Sequence, residues 1–124
     1  KKIYNNFLNK NKISFILKNF DVGLYFIHPT FSKTASCPTK LGEFLASGTP
    51  VITNPKIGDI NNIIKNNKCG LIIDKKSIKN LQIKKILDLK NKKFQNNSRK
   101  TALKFFNFKK EFIKYKNLID DLSF

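Results

Sequence analysis

Three short apolar runs, separated by stretches with helical periodicity, constrain the fold of this chain more than any other feature. The runs are VGLYFI at 22–27, PVIT at 50–53 and GLII at 70–73. Continuous runs of this length are typical of strands that are buried on both faces of a parallel sheet. Helical periodicity at 12–20, 39–47 and 59–67 makes strands and helices alternate. The order predicts an α/β fold, with a Rossmann-like parallel sheet and helices on both faces.

The remaining sequence is rich in lysine and predicts only helices. Apolar residues recur at helical spacing at 78–87, 94–106 and 109–122. In the last stretch one face carries Phe112, Tyr115, Leu118, Ile119 and Leu122. We therefore divide the chain into residues 1–76, part of a Rossmann-like domain, and residues 77–124, C-terminal helices expected to pack on the same domain.

The formal net charge of +17 raises the question of an anionic partner. Of the 25 basic residues only Arg99 is an arginine, the residue that best reads bases and phosphates. The lysines are also scattered along the chain, so we expect no specific nucleic-acid partner. Two readings stay open: a codon bias towards Lys, Asn, Ile and Phe, and a peripheral contact with an anionic membrane surface.

The cysteines and the single histidine offer little metal chemistry. Cys37 and Cys69 have no Cys-x-x-Cys spacing, and His28 alone does not complete a zinc site with them. We expect no cofactor and no metal. No apolar run approaches the ~18 residues that span a bilayer. The sequence predicts a cytoplasmic protein, with the inner face of the cell membrane as a possible peripheral location.

The segment SKTASCPTKLGEFLASG at 32–48 follows the first predicted strand and opens a helix. Ligands of open α/β sheets bind at the carboxyl ends of the strands, where this loop lies. Pro38 suits the first helical turn. We expect free amides around Thr39, Lys40 and Leu41, with the positive end of the helix dipole behind them. Such a helix terminus is suited to bind a phosphate.

Helical spacing places Lys40, Glu43 and Ser47 on one face of that helix. We expect Lys40 and Glu43 to line one opening, where lysine meets a diphosphate and glutamate accepts hydrogen bonds from ribose hydroxyls. The alternative is an ordinary exposed ion pair. Two further alternatives concern helix caps. Ser36 and Thr39 either bind phosphate or cap this helix, and Asp59 either caps the following helix or contributes to the site.

The middle of the chain resembles a known family. Residues 12–74 resemble the C-terminal domain of retaining GT-B glycosyltransferases, the large family four of the group 1 enzymes. The shared features are Asp21 before the first strand, Glu43 in the helix, the run ASGTPVI at 46–52, the Gly58-Asp59 pair and the closing strand at 70–73.

The resemblance implies transfer of a sugar from a nucleoside-diphosphate-sugar donor to a glycan or lipid-linked acceptor, without a metal. Glu43 matches the family glutamate that binds the donor's ribose. Diphosphate contacts would fall on Ser36, Thr39, Lys40 and Leu41, with Gly58 and Asp59 as possible additions. The first glutamate of the family's motif falls on Ala35, which puts the contacts with the donor sugar in doubt.

The resemblance also implies an acceptor-binding domain upstream of Lys1, in a protein concerned with polysaccharide assembly. We therefore expect this chain to be inactive alone and to leave a sheet edge or an apolar face exposed. Two alternatives remain: a basic binding module for an anionic membrane or nucleic acid, and a non-catalytic Rossmann-like interaction domain.

Overall fold

The computed structural model describes residues 9–74, 76, 78 and 82–122. Helices alternate with parallel strands in its first half, and three helices follow in the second. The elements are α1 (Lys10–Leu17), β1 (Gly23–Leu24), a 3-10 helix (Phe31–Ala35), α2 (Thr39–Ala46), β2 (Val51–Thr53), α3 (Ile60–Asn67), β3 (Gly70–Ile72), α4 (Ile83–Asp88), α5 (Lys92–Phe105) and α6 (Phe108–Leu122).

The three strands form one parallel sheet in the order β1-β2-β3, as the sequence predicts. β1 is shorter than the predicted 22–27. Beyond Leu24 the side chain of Asn54 takes over part of the pairing. Its Oδ1 accepts from the Ile27 N–H and its Nδ2 donates to the Ile27 carbonyl, both at 2.8 Å. A side chain therefore holds the end of this segment, where a longer strand would use backbone pairs.

Helices cover both faces of the sheet, and each face has its own apolar cluster. On one face α2, α3 and α5 pack against Tyr25 and Val51. The buried helix residues of this face are Leu41, Leu45, Ile60, Ile64 and Ala102. On the other face Ile52 and Ile73 pack against Leu89 and Ile86. The predicted α/β fold with helices on both faces is confirmed.

The C-terminal helices differ in how much they bury. α5 lies against α2, and the Arg99 guanidinium donates a hydrogen bond to the Ala46 carbonyl at the end of that helix. In the stretch predicted at 78–87, Ile83 and Leu87 are exposed, while Ile86 packs on the core. Residues 79–81 lie outside the described residues. In α6 none of residues 108–122 is buried.

β1 forms one edge of the three described strands, and it has an apolar outer surface. Leu24 and Phe26 are 64% and 56% exposed. No helix within the described ranges combines the length and apolar character needed to cross a membrane.

Candidate functional site

The N-terminus of α2 lies at the carboxyl end of the sheet, beside the segment that follows β1. Pro38 occupies the N-cap position, one residue before the predicted place, and α2 begins at Thr39. Proline has no side-chain acceptor with which to cap the helix. Within the described part of the chain, the hydroxyls of Ser36 and Thr39 form no hydrogen bond. The described contacts therefore do not support a helix-capping role for Ser36 and Thr39, and both hydroxyls are available to a ligand.

Two of the three expected amides are free at this terminus. The Leu41 N–H donates to the Pro38 carbonyl at 3.0 Å and closes the first turn. The Leu41 side chain is fully buried in the core. The N–H groups of Thr39 and Lys40 have no acceptor among the described residues. The helix terminus thus offers two backbone donors, and Leu41 serves the core and the turn.

These donors border a depression of about 300 Å³ between α2 and the end of β1. Its lining residues are Tyr25, Phe26, Ile27, Pro38, Thr39 and Lys40. The walls are mostly apolar, and Lys40 is the one charged residue among those that line the depression. This arrangement suits the binding of an anion that carries a less polar extension.

Glu43 lines a different depression, of about 410 Å³, formed with α1 and Arg99. Ile13 and Leu17 of α1 form part of its wall, and Ser47 of α2 lies in it too. The structure therefore does not place Lys40 and Glu43 in one opening. α1 packs beside α2 and borders the depression that Glu43 lines, where Glu43 itself stays exposed. The alternative of an exposed Lys40–Glu43 ion pair is not observed either among the described residues.

Gly58 holds the loop that precedes α2. Its φ of +40° lies in the left-handed region, and a Cβ atom there would overlap the Ser36 carbonyl oxygen. The Gly58 N–H donates to the Lys33 carbonyl at 3.0 Å. The close approach of the two backbones requires glycine, so Gly58 acts by positioning the loop.

A family model described as Glycosyl transferases group 1 matches residues 3–105. The chain belongs to this family. No curated protein and no solved structure gives a significant match. The family match covers the sheet and every helix from α1 to α5, and it ends before α6.

Asp59 and Cys37 lie close together beside the loop of this glycosyltransferase domain. Asp59 is exposed at the N-cap position of α3, but its carboxylate makes no capping hydrogen bond. Partial burial raises the pKa of the Cys37 thiol, and the negative charge of Asp59 raises it further. A thiol that remains protonated is a poor nucleophile, so Cys37 is not suited to covalent catalysis.

Tyr25 and Thr53 place two hydroxyls in the core at the carboxyl end of the sheet. Both oxygens are buried and lack a partner with hydrogen-bond geometry among the described residues. Burial raises the pKa of Tyr25 to about 12, and the neighbouring Thr53 hydroxyl offsets part of this effect. Sequence reasoning missed Tyr25 because it lies inside an apolar run, and it missed Asn54 because that residue only follows one. The position of Asn54 directly after a predicted strand is the sequence feature that could have indicated its role.

No three or more His, Cys, Asp or Glu side chains in the described ranges are grouped so that they would hold a metal ion.

Proposed function

We propose that the protein that carries this chain transfers a sugar from a nucleoside-diphosphate-sugar donor to a glycan or lipid-linked acceptor. This chain would bind the donor. The observation that carries the proposal is the α2 terminus: two free N–H groups and Lys40 border one depression at the carboxyl end of the sheet. The family match supports glycosyl transfer as the reaction class. Retention of configuration, membership of family four and a role in polysaccharide assembly are part of the same proposal.

For glycosyl transfer from such a donor, the site must stabilise the diphosphate as it leaves the sugar. During transfer the bond between the sugar's anomeric carbon and the phosphate oxygen breaks, and the acceptor oxygen, losing its proton, bonds to that carbon. Negative charge accumulates on the diphosphate. Lys40, the Thr39 and Lys40 amides and the hydroxyls of Ser36 and Thr39 would stabilise this charge without a metal.

Glu43 would accept hydrogen bonds from the donor's ribose. It follows Lys40 by three residues, so it lies ~4.5 Å further along the helix axis. A nucleoside extending from the diphosphate along α2 would reach it at the mouth of the second depression. Gly58 would contribute by holding the loop near Ser36, while a direct contact between Asp59 and the donor stays a prediction.

Two substitutions in the protein that carries this chain test the proposal. Lys40→Met keeps the stem and removes the charge, so it should weaken nucleoside-diphosphate binding more than nucleoside binding. Glu43→Gln should weaken binding of both, by roughly tenfold to a hundredfold if a charge-assisted bond is lost. Lys84→Met, on the exposed helix α4, is the matched control and should leave the affinity unchanged. Normal binding by both site variants, measured by calorimetry, would exclude this site.

We further propose that the protein is cytoplasmic and attaches peripherally to an anionic membrane, which the net charge of +17 favours. Each lysine near such a surface contributes ~1 kcal/mol, and salt screens this contribution. Attachment to phosphatidylserine vesicles should therefore fall steeply with ionic strength and be indifferent to free nucleotide. Attachment that persists unchanged at molar salt would contradict it. A chain that binds neither vesicles nor nucleotides would fit a non-catalytic interaction domain.

A further inference from the structure

The lysines are spread along the whole chain, but the acidic residues leave one long stretch without a negative charge. Residues 89–110 contain eight basic residues and no acidic residue, so this stretch adds +8 to the net charge of +17. The basic residues are Lys90, Lys92, Lys93, Arg99, Lys100, Lys104, Lys109 and Lys110. Helix α5 forms most of the stretch. The following helix α6, by contrast, mixes four lysines with three acids.

The lysines of α5 share its outer face. The buried residues of the helix, which lie towards the core, are Ser98, Thr101 and Ala102. At about 100° per residue, the opposite third of the circumference carries four exposed lysines, which are Lys92, Lys93, Lys100 and Lys104. We call these four residues the α5 lysine face. It extends over ~18 Å along the helix axis, at 1.5 Å per residue.

The positive charges of the α5 lysine face have no carboxylate partner in the part of the chain that the structure describes. The nearest acids along the chain are Asp88, in α4, and Glu111, which pairs with Lys114 in α6. The Lys104 ammonium lies 5.0 Å from the centre of the Phe105 ring, a contact that does not neutralise its charge. Lys100 and Lys104 stand one helical turn apart and repel each other. An anionic partner would relieve this repulsion.

We propose that the α5 lysine face is the surface by which the chain contacts an anionic membrane. Clusters of four or more lysines on one face of a helix are typical of surfaces that bind acidic lipid headgroups. Leu103 lies among these lysines and is 52% exposed, so it can enter the headgroup boundary while the lysines reach lipid phosphates. This inference rests on the membrane attachment proposed above, for which it names the surface, and it is independent of the transferase proposal.

Two features of α5 favour lipid over nucleic acid as the partner. The α5 lysine face contains no arginine, the better reader of bases and phosphates, because Arg99 lies at its margin and donates to the Ala46 carbonyl. The face also contains no aromatic ring on which a base could stack. Both phenylalanines of the helix, Phe94 and Phe105, lie on the opposite side, towards the core.

Two triple variants of equal net charge test the proposal. The first removes three charges from the α5 lysine face by replacing Lys92, Lys93 and Lys100 with glutamine. The control removes one exposed lysine from each of three other helices, α1, α4 and α6, by replacing Lys12, Lys84 and Lys116 with glutamine. Co-sedimentation of the full chain with phosphatidylcholine–phosphatidylserine vesicles at about 0.1 M salt measures both, because charges further than ~10 Å from the membrane are then largely screened.

The α5 variant should lose roughly a hundredfold in vesicle partitioning, at about fivefold for each lysine near the surface. The control should lose less than about fivefold. Leu103→Gln should lower vesicle partitioning by roughly fivefold, because an apolar side chain is no longer buried, and this ratio should persist at high salt.

Equal losses for the two triple variants would overturn the placement on α5 but leave an electrostatic membrane contact standing. Failure of the unmodified chain to bind the vesicles would overturn both. An α5 variant that keeps vesicle binding but loses binding to a short RNA duplex would assign the face to nucleic acid instead.

Discussion

Replacing Gly58 by alanine should destabilise the chain more than the same change at Gly48, although both glycines have positive φ. Gly48, at the end of α2, has φ +78°, and the nearest atom to an added Cβ is the Gln95 carbonyl oxygen at 3.7 Å, an ordinary contact. Gly48→Ala should therefore cost only the left-handed backbone conformation, ~1–2 kcal/mol. At Gly58 the same cost applies, and the Cβ also overlaps the Ser36 carbonyl oxygen.

The overlap at Gly58 forces the loop to move, which breaks the hydrogen bond from its N–H to the Lys33 carbonyl. Loss of that bond adds ~1 kcal/mol to the ~1–2 kcal/mol of the left-handed conformation, so the total should reach ~2–3 kcal/mol. Urea denaturation followed by circular dichroism measures both variants, and a shifted midpoint with an unchanged slope reports stability alone. The reasoning fails if Gly58→Ala loses no more free energy of unfolding than Gly48→Ala.

Three further changes test the surroundings of the site. Asn54→Ala removes both bonds to the Ile27 backbone and should cost ~2 kcal/mol in urea denaturation, whereas a loss within ~0.5 kcal/mol would contradict that role. Tyr25 binds its proton more tightly when folded, with a pKa of about 12 against 10.0, so up to ~3 kcal/mol of stability is present below pH 10 and lost as pH rises towards 12. Tyr25→Phe should remove this loss, and parallel stability curves over that range for the two proteins would refute it. Asp59→Asn should speed alkylation of Cys37 at mildly alkaline pH, because it removes a charge that raises the thiol pKa, and an unchanged rate would exclude the contact.

The sequence predicts most accurately those elements whose ends are marked by neighbouring residues such as proline and glycine. α2 was predicted at 39–47 and spans Thr39–Ala46, because Pro38 precedes it and Gly48 takes the left-handed conformation that ends it. The sheet could be predicted for the same reason, since short apolar runs between helices have few alternatives.

Features that depend on distant residues could not be predicted in this way. β1 is short because Asn54, 27 residues away from Ile27, occupies the groups that a longer strand would pair. Lys40 and Glu43 share a helix face, but the position of α1, which no local pattern specifies, places them in different depressions. In α6 the periodicity correctly indicated an amphipathic helix, while periodicity alone does not say whether a partner covers its apolar face.

Hydrogen–deuterium exchange, with and without a nucleoside diphosphate, tests the donor site most directly in the protein that carries this chain. The account predicts slower exchange at the Thr39 and Lys40 amides on binding, because these N–H groups would donate to the diphosphate. The Leu41 amide, already bonded to the Pro38 carbonyl, should change little. The corresponding nucleoside, which lacks the phosphates, should leave all three amides unaffected. Protection that appears only around α1 and Arg99, or no protection at the α2 terminus under saturating nucleotide, would contradict the account.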